Sequence, residues 1–99
     1  MTKYRQVYLQ MVEAHTEQFS AFKVVHDGYQ TERKVWSAQF HALGKPLVEI
    51  IRDWEQRLCS SMERGKFAAY SNKVSEKFWD EIRKVYPLID RVGVKSNLD

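Results

Sequence analysis

Cysteine is almost missing from this chain, and so are the residues that break helices. Its 99 residues include one cysteine, two prolines and four glycines. A lone thiol, Cys59, cannot close an internal disulfide, so the fold has to hold without a covalent staple. So few prolines and glycines leave little material for loops or linkers. No run of about 18 apolar residues occurs, which excludes a membrane-spanning helix and predicts a protein with no membrane partner. Met1-Thr2-Lys3-Tyr4 leads into polar-interrupted sequence with no apolar stretch behind it, so no secretory signal is expected. With the single cysteine, this points to the cytoplasm. Charge of one sign is lacking too. The net charge is +3 with 16 basic and 13 acidic residues, interspersed throughout. A nucleic-acid footprint would be a stripe of one sign, and none stands out.

What is present is apolar residues at helical spacing. The chain is 43% hydrophobic and 13% aromatic, which argues against disorder and for one domain with its own core. From Lys3, the residues Tyr4, Tyr8, Met11, His15, Phe19, Phe22, Val25 and Tyr29 recur at steps of three and four, one face of a helix. Asp27-Gly28 reads as a turn, and Thr31 before Glu32 reads as a new N-cap. A second stripe runs Trp36, Phe40, Leu43, Leu47, Ile51, Trp54 and Leu58. It crosses Gly44-Lys45-Pro46 without losing register. A proline inside a helix costs about 3 kcal/mol, so local chemistry says stop there. The unbroken register says that the helix continues with a kink. Arg64-Gly65 reads as the next helix end. A third stripe holds Phe67, Tyr70, Val74, Phe78, Ile82 and Ile89. Leu88 to Val94 is an apolar finishing turn expected to fold back over the end of the bundle.

The expected fold is all-α: an elongated antiparallel three-helix bundle with helices at about 3–28, 31–64 (kinked at Pro46) and 67–91. A break at Gly44–Pro46 gives the alternative, a four-helix bundle. Residues 1–94 form the domain, and 95–99 a frayed tail.

Chemistry is hard to build from these residues. His15 and His26 share a face but stand about 16 Å apart along a helix, too far to share a metal. Neither has a glutamate three residues before it, His41 follows Ala38, and His-Glu-x-x-His does not occur. They read as half-buried or interfacial histidines. Cys59 has no histidine at helical spacing to act as its base, so it reads as a small apolar filler. Gly44-Lys45 and Gly65-Lys66 lack the rest of a phosphate loop. Carboxylates such as Glu49, Asp53 and Glu55 alternate with Arg52 and Arg57, as on a solvated helix face. No cofactor, metal or catalytic set is expected, and the protein is not expected to be an enzyme.

The aromatic residues exceed what one narrow seam takes up. Phe78 and Trp79 are adjacent, hence about 100° apart around a helix, and both cannot face one seam. Aromatic surplus is what interfaces collect. The expected function is protein–protein association, as a homodimer or with a protein partner, through Trp36, Trp54, Phe78 and Trp79. One alternative is a nucleic-acid-associated bundle using Lys73, Lys77, Arg83, Lys84 and Arg91. The other is a small enzyme or ligand-binding bundle using Cys59 or the histidines.

Overall fold

The computed structural model describes residues 2–62 and 68–94, and the side chains of 2–60 and 73–94. Among the described residues four α-helices follow one another: α1 (Lys3–Ala14), α2 (Thr16–Thr31), α3 (Arg33–Met62) and α4 (Ala68–Val85). A 3-10 turn, Ile89–Arg91, follows them. There is no strand among the described residues. The expected helix ends at Arg64-Gly65, the start near Phe67 and the tail 95–99 lie outside the described residues.

The rod expected at 3–28 is bent rather than straight. His15 leaves helical geometry at φ −127°, ψ 42°. It stays in the hydrogen-bond ladder, donating to Met11 O at 3.0 Å and accepting from Phe19 N at 3.1 Å. The Thr16 hydroxyl donates back to Val12 O at 3.2 Å and Glu13 O at 2.9 Å. A hydroxyl that competes for carbonyls of its own helix bends it, so α1 and α2 form one kinked arm.

The reversal into α3 falls at one residue, Glu32, with φ −133° and ψ 75°. It was expected between Asp27 and Thr31. Thr31 is the last residue of α2, and its hydroxyl donates to Gly28 O at 3.1 Å. Gly28 lies within the helix because the Trp36 ring packs directly on its Cα, where a Cβ would collide. What reads as a turn glycine is a place for an indole to rest.

α3 is one continuous helix with Pro46 inside it. Pro46 and Ala42, four residues before it, are both exposed. The carbonyl deprived of its donor therefore lies on the solvent side, where water replaces the lost bond. The buried face carries Phe40, Gly44, Leu47, Ile51 and Leu58 straight across that point.

The contacts set the topology. α2 and the first half of α3 run antiparallel: Tyr29 stacks on Phe40 with ring centroids 4.0 Å apart. α4 lies antiparallel to α3, with Trp79 Nε1 donating to Glu55 Oε2 at 2.7 Å. It also lies beside α1, where Arg5 meets Glu81 at 3.0 Å. The bundle is elongated, 47 × 27 × 19 Å, with a radius of gyration of 14.6 Å, against about 13 Å for a spherical domain of this length. Its core joins Val7 and Met11 of α1, Phe19, Phe22, Val25 and Tyr29 of α2, the α3 stripe, and Phe78 and Ile82 of α4.

The C-terminal segment folds back over the bundle as the apolar pattern predicts. Pro87 follows α4 and ends it. Tyr86 and Ile89 enter the core. The Tyr86 hydroxyl donates to Phe19 O at 3.3 Å. Val92 lies on Gly44, where a Cβ would come within 2.6 Å of its Cγ2. Both mid-helix glycines thus serve close approach.

Candidate functional site

Two surface features separate themselves from the packed interior. The first is a cleft of about 310 Å3 between α3, α4 and the C-terminal segment. Val48, Ile89 and Val92 supply apolar walls, and Arg52, Glu55, Trp79, Arg83 and Asp90 supply polar ones. Its charges are mostly committed within the chain. Glu55 accepts from the Trp79 indole N–H and from the Ser75 hydroxyl. Arg83 makes two bonds to Asp90, at 2.8 and 3.2 Å, and one to Asp80 at 3.1 Å. The bonds from Asp90 push the Arg83 guanidinium further above its already high value. Arg52 is exposed at the rim.

The second is a shallow apolar groove of about 230 Å3 on the outer side of the α2–α3 pair, lined by Glu17, Gln18, Ala21, Leu43, Pro46 and Leu47. Val24 stands one turn beyond Ala21 and is 62% exposed. Val35 stands three turns before Pro46 on the same face and is 68% exposed, and Leu43 is 40% exposed. A leucine and two valines in water on one side of a helix pair are an unspent apolar surface. Glu17 lies on the α2 side and Lys45 next to Pro46 on the α3 side. Both are exposed and neither is ion-paired among the described residues.

The four residues named for an interface lie elsewhere. Phe78 is wholly buried in the core and has no surface to offer. Trp36, Trp54 and Trp79 are half-buried and already packed. Trp36 covers Gly28. Trp54 meets the edge of His15 at 6.2 Å and carries Arg57 on its face at 5.1 Å. Trp79 lines the cleft with Arg83 over its ring. Phe78 of the wide aromatic stripe enters the core, and arginines stack on the rings of Trp54 and Trp79. The cations named for nucleic acid are dispersed as well. Arg83 is held by two aspartates, Lys84 meets Glu81 at 3.2 Å, and Lys77 lies 6.0 Å from the Tyr4 ring.

The histidines have structural partners. His26 is fully buried among Phe22, Phe40 and Tyr86. Its Nε2 accepts the Leu88 backbone N–H at 3.2 Å, so the ring proton sits on Nδ1 and points to Asp27 at 3.0 Å. That bond, with help from Lys23, holds the Asp27 carboxyl below the usual range. His41 Nδ1 accepts the Gly93 N–H at 3.0 Å. No signal in the sequence ties these two rings to residues 52 and 62 positions away. Cys59 is partly buried on α3.

Among the described residues, no three His, Cys, Asp or Glu side chains gather as a metal site, and no helix is long and apolar enough to cross a membrane. Set against known protein families, curated proteins and solved structures, the chain finds no match.

Proposed function

We propose that this is a cytoplasmic association module that pairs with a second copy of itself through the outer face of α2 and α3, without catalysis. The observation that carries the reading is the apolar groove walled by Ala21, Leu43, Pro46 and Leu47, with exposed Val24 one turn beyond it on α2 and exposed Val35 three turns before Pro46 on α3. Burying apolar area is the main drive for association. The rim favours a like partner over an unlike one. An isologous pair needs a surface that complements itself after a half-turn. Here Glu17 lines the groove from α2, and Lys45 stands on α3 beside Pro46, lining a neighbouring pocket with Arg52 and Val92; both are exposed. A two-fold pair that brings these two together would match charge to charge. The tryptophans support the surface from within: Trp36 on Gly28 locks the α2–α3 pair into one rigid unit.

Light scattering on the purified protein tests this. The wild type is expected to run as a dimer at micromolar concentration. Leu43→Glu puts a charge into the groove and is expected to give a folded monomer, whereas Trp79→Ala is expected to stay dimeric. A monomeric wild type, or a Leu43→Glu protein still dimeric, removes the reading.

A further inference from the structure

Residues 87–94 are joined to the bundle at points set by two imidazoles. Leu88 donates its backbone N–H to His26 Nε2 at 3.2 Å, and Gly93 donates to His41 Nδ1 at 3.0 Å. The two bonds lie near the two ends of the segment. Between them Ile89 is buried and Val92 covers Gly44. A backbone N–H can only donate, so both contacts require a bare ring nitrogen. A protonated imidazole has none. Its new N–H would face the amide N–H, two donors with no acceptor between them.

We propose that His26 and His41 form a two-point, proton-released latch that holds residues 87–94 over α2 and α3 when both rings are neutral and lets them lift when the rings are charged. The segment supplies Ile89, Asp90 and Val92 to the cleft, so release removes one of its walls. It also bares Gly44 and the Phe22 edge beneath Val92. The latch does not depend on self-association.

The surroundings of each ring decide how the proton is received. His26 faces Asp27 from its own helix, with Lys23 bridging to the same carboxylate and to Val85 O. From α3 it faces Phe40, and from the C-terminal side the Tyr86 ring at 5.6 Å. The Asp27 carboxylate already accepts from Nδ1, so it can balance an imidazolium. Only the Nε2 side loses its partner. His41 faces the Tyr29 ring from α2 at 5.9 Å, itself covered by Arg33, and Lys45 follows one turn along α3. The segment's own charges are Asp90, held by Arg83, and Arg91. Imidazole is in general the side chain whose charge changes nearest neutrality, so the test compares about pH 7.5 with about pH 5.5.

Amide exchange on the 15N-labelled full chain tests the latch, read as protection factors so that the intrinsic pH effect is removed. Protection at Leu88 and Gly93 is expected to fall at least about tenfold over that range while Ile51, in the α3 core, keeps its own. Lifting takes up both protons, so log protection against pH approaches a slope of about two; His41→Gln, which keeps an uncharged acceptor, brings it to about one. Protection at Leu88 and Gly93 that does not change with pH overturns the proposal. So does an equal fall at Ile51, which means general unfolding. So does a slope that His41→Gln leaves as in the wild type.

Discussion

Replacing Gly44 with alanine sets two effects of similar size against each other. In an ordinary helix interior the change stabilises by about 1 kcal/mol, because glycine loses more backbone freedom on folding. Here the new methyl would sit 2.6 Å from Val92 Cγ2, 2.9 Å from Val92 Cγ1 and 3.1 Å from Phe22 Cε1. Carbon atoms rest at about 3.5–4.0 Å. The α3 backbone cannot retreat, since Phe40, Leu47 and Ile51 hold it on both sides. Val92 must leave instead. Losing a half-buried valine costs about 1 kcal/mol. Losing the Gly93–His41 bond that travels with it costs about 1 kcal/mol more. Against these, the propensity gain leaves a net loss of about 1 kcal/mol, and more where Phe22 also shifts. Val92→Ala tests the cause. Alone it should cost about 1 kcal/mol; with the valine methyls gone, Gly44→Ala should become neutral or favourable. Urea unfolding of the four proteins gives the coupling directly, about 2 kcal/mol expected. An alanine variant as stable as wild type, or single effects that simply add, would refute the packing argument.

Two further outcomes follow from buried polar groups. Burial, then the neighbouring Tyr8 and Asp27, push the Tyr86 phenol up to about 12. An unfolded tyrosine loses its proton near pH 10. The native state therefore holds the proton more tightly: its contribution is complete below about pH 10 and is lost as pH rises through about 12, at most about 3 kcal/mol. Tyr86→Phe should flatten the fall in urea midpoint across that alkaline range while costing about 1 kcal/mol at neutral pH for the bond to Phe19 O. Glu81 is 6% exposed and is held by Arg5 at 3.0 Å and Lys84 at 3.2 Å. Arg5→Leu should lower stability by about 1–2 kcal/mol by leaving that carboxylate short of a partner, and adding Glu81→Leu should restore most of it; thermal melts of the single and double variants decide.

The parts of the fold that were legible were those set by periodicity. The register from Phe40 through Leu47 to Ile51 carried α3 across Pro46 because burial on one face outweighs one missing hydrogen bond on the other. The return of Leu88–Val94 was legible from its apolar character. The bend at His15 was not, because it rests on a threonine hydroxyl choosing carbonyls of its own helix. Nor were the uses of Gly28 and Gly44, since a glycine that makes a turn and one that admits a side chain look alike in sequence. The candidate surfaces were least legible. Of Trp36, Trp54, Phe78 and Trp79, only Phe78 lies within the core, and the three indoles are half-buried against it. The exposed strip is made of Val24, Val35 and Leu43, which any helix carries. The two histidine acceptors depend on closeness between residues far apart in the chain.

That separation bears on the order in which the molecule can be made. The α2–α3 pair needs only neighbouring residues: Tyr29 and Phe40 are eleven positions apart, and one residue reverses the chain. It can form as soon as it leaves the ribosome. The residues that close its open side, Tyr86, Leu88 and Val92, come more than forty positions later. At about 5–20 residues per second, that is a wait of roughly 2–10 seconds. During that time Phe22, Phe40 and His26 lack their cover. The nascent chain therefore passes through a stage at which its most aromatic layer is bare, and a chaperone that grips exposed aromatics would meet it there.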